Sequence, residues 1–254
     1  MKKTNIYYLS VIVLILCSCS KDDTGGDIVN ENNIQGLCPE IQGVTAIYWE
    51  LGHGIPAPLT QVPLIPNPGQ RYIHSQFPGL GFTIPQSYTP FEIADPQTGT
   101  RGVNVIRNDD SAIFRYVPGT QAVGQVSSQS IIANEINSMF SFFNFTGTPE
   151  VVCRTLPSGN QSISGIPMEF NARLLRFNNM TAIITVRSLL ISGSTFSSIS
   201  AVAAPTSEFE TEVLNTFLPI NFELLVGPGG SFVDKDEDGV PALEDPDDNN
   251  PNVP

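Results

Sequence analysis

Basic side chains are scarce in this sequence: 12 lysines and arginines stand against 25 aspartates and glutamates, a formal charge of −13 over 254 residues. A chain that acidic repels phosphate backbones, which excludes nucleic acid as a partner. Histidine is limited to His53 and His74, and cysteine to four residues. That supply is too small for a zinc centre once the cysteines are assigned as below. No Gly-x-Ser-x-Gly elbow surrounds any serine, so one common route to an activated nucleophile is missing. No apolar run reaches the ~20 residues of a membrane-spanning helix, and no internal repeat is visible. Charged residues make up only 15%, while Gly and Pro number 21 each, a mix that favours strands and turns over a helical bundle. With 41% hydrophobic residues the chain can bury a core, so wholesale disorder is excluded.

The N-terminus reads as an address. Lys2 and Lys3 precede an apolar run over residues 6–16 interrupted only by Ser10, the pattern of a secretory signal. A permanent span fails on length and on the polar residues that follow. Leu16-Cys17-Ser18-Cys19 resembles the lipobox of bacterial lipoproteins. The resemblance implies cleavage after Ser18 and acylation of Cys19; Cys17 fits less well, because Ile15 and Leu16 would occupy positions that prefer small side chains. Several acyl chains on one cysteine anchor firmly where a single chain holds marginally. Ser20-Lys21-Asp22-Asp23 resembles an acidic export signal that sends lipoproteins to the outer leaflet of the outer membrane. It implies a lipid-anchored protein facing the cell exterior, the alternative being a tether that is merely acidic. Residues 20–36 lack apolar periodicity and read as a flexible stalk.

Four segments follow: a signal peptide (1–18), an acylated tether (19–36), a globular domain (37–233) and an acidic tail (234–254). Cys38 and Cys153 remain after processing. In an oxidising compartment such a pair is a disulfide candidate; the alternative is two buried thiols, and neither reading gives them a metal.

In the tail, Asp234, Asp236 and Asp238 fall at positions 1, 3 and 5 of a loop, with Gly239 at 6 and Asp245 at 12. Alternate side chains of a tight loop converge on one point, glycine permits the turn, and the Val240 carbonyl can supply the next ligand. That oxygen set suits Ca2+. The loop resembles those of thrombospondin type 3 repeats and dockerin-like modules, which implies a structural calcium ion. A plain acidic tail is the competing reading.

The globular domain is expected to be α+β, an antiparallel sheet carrying two amphipathic helices. Ile132, Ile136, Met139, Phe140 and Phe143 share one face of a helix over residues 128–143. A second helix is expected over 207–218, with Ser207 and Glu210 as a capping box and Pro219 as its stop. Strands are expected at 82–84, 103–107, 112–117, 168–177, 180–191, 196–204 and 220–226, with Asn108-Asp109-Asp110 and Asn178-Asn179 as turns. This order is similar to PsbP/Mog1/DcrB-like domains, and 202–205 with 217–222 carry most of the likeness.

Residues 51–79 hold ten Gly and Pro positions and read as a long irregular loop. Trp49, His53, Arg71, Tyr72 and His74 cluster around it. They form either a ligand-binding flap or a surface wrap pinned by its aromatics. The function expected is a non-enzymatic binding or accessory role in the cell envelope, toward an unknown ligand or envelope protein. The alternatives are a hydrolase or isomerase using His53 or His74, and a structural subunit of an outer-membrane complex.

Overall fold

The computed structural model describes residues 38–52, 63–155, 161–163, 166–226, 250 and 252. The lipobox with Cys19, the tether, and the calcium ligands expected at Asp234, Asp236, Asp238, Val240 and Asp245 lie outside these residues, as does His53. No helix among the described residues is long and apolar enough to cross a membrane.

An antiparallel sheet forms the centre, confirming the α+β expectation. Its strands are β3 (Tyr88–Asp95), β4 (Thr100–Arg107), β5 (Ile113–Val123), β6 (Glu150–Thr155), β7 (Gln161–Ile163), β8 (Ile166–Phe177), β9 (Met180–Ile191) and β10 (Ser194–Pro205). They lie in the order β3-β4-β5-β10-β9-β8-β6, with β7 also paired to β8. Asp110 and Asn178 adopt positive φ in the two expected turns, as short polar side chains tolerate. A separate hairpin, β1 (Pro68–His74) and β2 (Phe77–Pro85), stands apart from the large sheet.

Helices cover both faces. On one side lies α2 (Ser128–Phe142), whose N-cap Ser127 accepts a hydrogen bond from the Ser130 amide. Its C-terminus closes as a Schellman motif: Phe145 N–H donates to Phe140 O at 2.8 Å and Asn144, at φ 53°, takes the left-handed position. The Phe140 and Phe145 rings meet at 4.9 Å, supplying the apolar contact this motif carries. Ile132 and Met139 bury against Met180, Ala182, Ile184 and Val186 of β9, alternate residues that share one face of the strand.

The opposite face carries the β1–β2 hairpin, α1 (Gly43–Gly52), and a compound helix built of α3 (Phe209–Glu212), a π-helical turn (Val213–Phe217) and α4 (Leu218–Val226). Trp49, Phe82, Phe114 and Phe217 are each 1% exposed or less there.

Several expectations are overturned here. The segment expected as a strand at 220–226 is helical, and Pro219 sits buried inside the helix rather than ending it. A proline ring strikes the carbonyl four residues back and removes one hydrogen bond. The turn before Pro219 widens instead, Leu218 N–H reaching five residues back to Val213 O, which takes the chain off the register where that collision occurs. The strand reading came from the alternation Ile220, Phe222, Leu224; yet Phe217, Ile220 and Leu224 fit a helical face equally well, and all three are buried. The likeness to PsbP/Mog1/DcrB-like domains leaned on a strand in this segment and loses that support.

The capping box at Ser207 and Glu210 does not form. Helix α3 begins after Glu208, which makes no side-chain cap. Glu210 turns to α1 instead, accepting from Val44 N–H at 2.7 Å and from Thr45 Oγ1. Gly43, at φ 64°, is required at this junction: a Cβ there would collide with the Glu210 carboxylate. Residues 51–79, expected as an irregular loop, instead contain the end of α1, the β1 strand and part of β2.

Candidate functional site

Cys38 and Cys153 are joined in a disulfide, with Cα atoms 6.0 Å apart and both residues in the core. The bond ties Cys38, the first described residue, to strand β6. The Glu40 carboxylate lies beside both sulfurs, and among the described residues these three form the one cluster with metal-ligand spacing. The bridge consumes both thiols, leaving no thiolate for an ion.

Among the described residues expected to line a flap, Trp49 and Arg71 turn away from each other, while Tyr72 and His74 both approach Glu92. Trp49 points into the core from α1, and Arg71 pairs with Glu223 of α4 at 3.4 Å. Tyr72 packs its ring on Phe82 at 5.4 Å. His74 is 0% exposed. Its Nε2 lies 3.0 Å from Ile93 O, and its Nδ1 accepts the Gln76 N–H at 3.1 Å. With Nδ1 accepting, Nε2–H donates to the Ile93 carbonyl, holding the β1–β2 turn onto β3. A ring so enclosed offers no edge to a substrate. Glu92 completes the clamp by accepting from Ser75 N–H at 2.8 Å and from Ser75 Oγ.

A different set of side chains gathers at a cleft of ≈ 230 Å³ between the β2–β3 turn and the π-helical turn. Ile65, Pro66 and Pro85 supply apolar wall; Tyr88, Glu212, Asn215 and Thr216 supply polar groups. π-helical turns of this kind occur often at functional sites.

Behind the cleft, Arg107 at the end of β4 contacts Glu212 at 2.6 Å, Glu208 at 2.7 Å and Asp109 at 3.0 Å. Burial opposes the Arg107 charge, but hydrogen bonds to the three carboxylates outweigh it and raise its pKa. Asp109 is held down to about 2, by Ser111 Oγ first and by Arg107 second. Tyr88 donates to Glu212 Oε2 at 2.6 Å, and Thr216 donates to the same oxygen at 3.1 Å. Burial, then the hydrogen bond to Glu212, pushes the Tyr88 phenol far above its ordinary value.

Chemically the cluster is committed. The Tyr88 hydroxyl donates to Glu212, whose other oxygen is held by Arg107, so the arrangement fixes shape and polarity. Asn215, Thr216, Ser87 and Asn67 add amide and hydroxyl groups to its lining. The volume falls below the ~300 Å³ lower range of drug-sized pockets, so the cleft is a small, open one.

Reading of the sequence missed this site. Glu208 and Glu212, four residues apart on a helix, share a face, and Arg107 precedes the acidic turn; those were the available signals. The partners come from three elements more than 100 residues apart in part, which no local spacing reveals.

No family model matches the sequence, and no curated protein matches it. Among solved structures, LpqN of Mycobacterium tuberculosis, described as involved in cell envelope biogenesis, is similar at 12% identity and a TM-score of 0.28. The match covers 57% of this chain and 87% of that one. At that level LpqN says nothing of what this chain binds.

Proposed function

We propose that this chain is a lipid-anchored envelope protein whose folded domain is a non-catalytic binding module, with the cleft at Tyr88 and Glu212 as its recognition site. The observation that carries the reading is the Cys38–Cys153 bridge at the root of the domain. Such bonds persist in oxidising compartments outside the cytosol, where the lipobox at Cys19 directs the chain. The cleft supports recognition over catalysis, because its titratable groups are tied to one another. The loop of Asp234, Asp236, Asp238, Val240 and Asp245 is proposed to hold a structural Ca2+, and outer-membrane display facing the exterior rests on the acidic residues after Cys19.

Palmitate labelling with cell fractionation tests the reading. The wild-type chain is expected in the membrane fraction carrying label, and Cys19→Ala is expected to lose both. Label-free chain among cytosolic proteins overturns the proposal. For the tail, calorimetry on the whole chain is expected to show one Ca2+ site that Asp236→Ala removes; absence of heat in the wild type refutes it.

A further inference from the structure

Two exposed leucines stand at the cleft described above, Leu64 at 73% and Leu214 at 52%. Leu64 immediately precedes the lining residue Ile65, and Leu214 sits on the π-helical turn between the lining residues Glu212 and Asn215. A single exposed leucine needs no explanation. Here one lies on each of two walls of the same cleft, so a partner that covers the cleft also takes both from water.

Charge decides what that partner brings. Behind the cleft one guanidinium, Arg107, faces three carboxylates, Glu212, Glu208 and Asp109. Asp109, held down to about 2, is ionised at neutral pH, and Glu208 has half its side chain in solvent. The group carries two negative charges in excess, and Glu212 presents them to the cleft. An anion is repelled there, and a neutral ligand gains nothing from the field. The lining makes a second demand, because Ile65, Pro66 and Pro85 form apolar wall in the same cleft as Glu212. Lysine and arginine meet both demands, laying a methylene stem on apolar surface while the cationic head reaches a carboxylate. Glu212 receives hydrogen bonds from Tyr88, Thr216 and Arg107, fewer than the roughly four a carboxylate accepts, so those bonds need not break.

We propose that the cleft docks a peptide segment of a partner protein, a basic side chain entering beside Glu212 and apolar residues next to it covering Leu64 and Leu214. The inference rests on the reading of the cleft as the recognition site and names its occupant. A free amine or a simple cation would meet the carboxylates and leave both leucines bare; a run of residues engages all of them.

The test selects a displayed library of random heptapeptides on the whole mature chain and measures the enriched peptides, fluorescein-labelled, by anisotropy. Sequences with a lysine or arginine flanked by apolar residues are expected, their affinity falling several-fold between about 50 and 500 mM salt. Leu64→Ser and Leu214→Ser, at exposed positions, are expected to leave the unfolding midpoint in place and to weaken binding about tenfold each. Glu208→Gln, which removes one charge and keeps the shape, is expected to weaken binding and flatten its salt dependence. Enriched peptides that are neutral or acidic, with binding lost in Asn215→Ala, overturn the basic occupant and keep the cleft as the recognition site. Basic peptides that bind all four variants as they bind the wild type, as attraction to the acids of residues 234–248 alone would give, overturn both. No enrichment over the bare support overturns the proposal.

Discussion

Reduction of the Cys38–Cys153 bond is expected to remove much of the domain's stability. The bond closes a loop spanning 115 positions, and chain-entropy scaling for a loop of that length gives about 4.8 kcal/mol at 25 °C. Whole domains are stable by only about 5–15 kcal/mol. At roughly 2–4 °C per kcal/mol for a domain of this size, the unfolding midpoint should fall by roughly 10–20 °C. Packing adds little, since both sulfurs remain in the core, at 6% and 8% exposure. Scanning calorimetry with and without a phosphine reductant, with thiol release confirmed by alkylation and intact mass, reads the effect. Cys38→Ala and Cys153→Ala should each remove the whole loop contribution, so the double variant should be little worse than either. A fully reduced chain melting within about 3 °C of the oxidised one, against the scaling above, refutes the reasoning.

Two further outcomes are expected. Glu210→Ala should destabilise by about 1–2 kcal/mol in urea unfolding, because α1 loses its N-terminal acceptor and the favourable charge at its dipole. Ser207→Ala should stay within about 0.5 kcal/mol, and equal costs for the two would contradict the helix-to-helix cap. Burial raises the Glu135 carboxyl above its ordinary 4.5, with Arg115 at 2.6 Å pulling the other way. A folded-state pKa above the unfolded one gives stability that is full below 4.5 and lost as pH rises through the folded value. Glu135→Gln, always neutral, should therefore gain on the wild type as pH climbs from below 4.5 to neutrality; a flat or opposite trend refutes the sign.

Legibility in the sequence followed the range of the forces involved. The β8–β9 hairpin was readable because Asn178 tolerates positive φ and β9 alternates cleanly, and α2 because its apolar face and cap are local. Helix α1 was hidden: Val44, Thr45, Ile47, Tyr48 and Trp49 are weak helix formers between glycines. Its cap arrives from Glu210, 166 residues away. The run after Pro219 satisfied two periodicities at once, and the π-helical turn that admits the proline has no sequence signature. The cleft escaped for the same reason as α1, since Arg107, Tyr88 and Glu212 meet only after the sheet and compound helix have docked.

The reach of Glu210 to Val44 also sets an order of events. The first helix of the domain cannot complete its terminus until a residue near the end of the chain has emerged and docked. Loop closure over such a separation is slow. Helix α1 therefore completes its native N-terminus late in folding. The N-terminus of α1 locks only once the compound helix has docked against it.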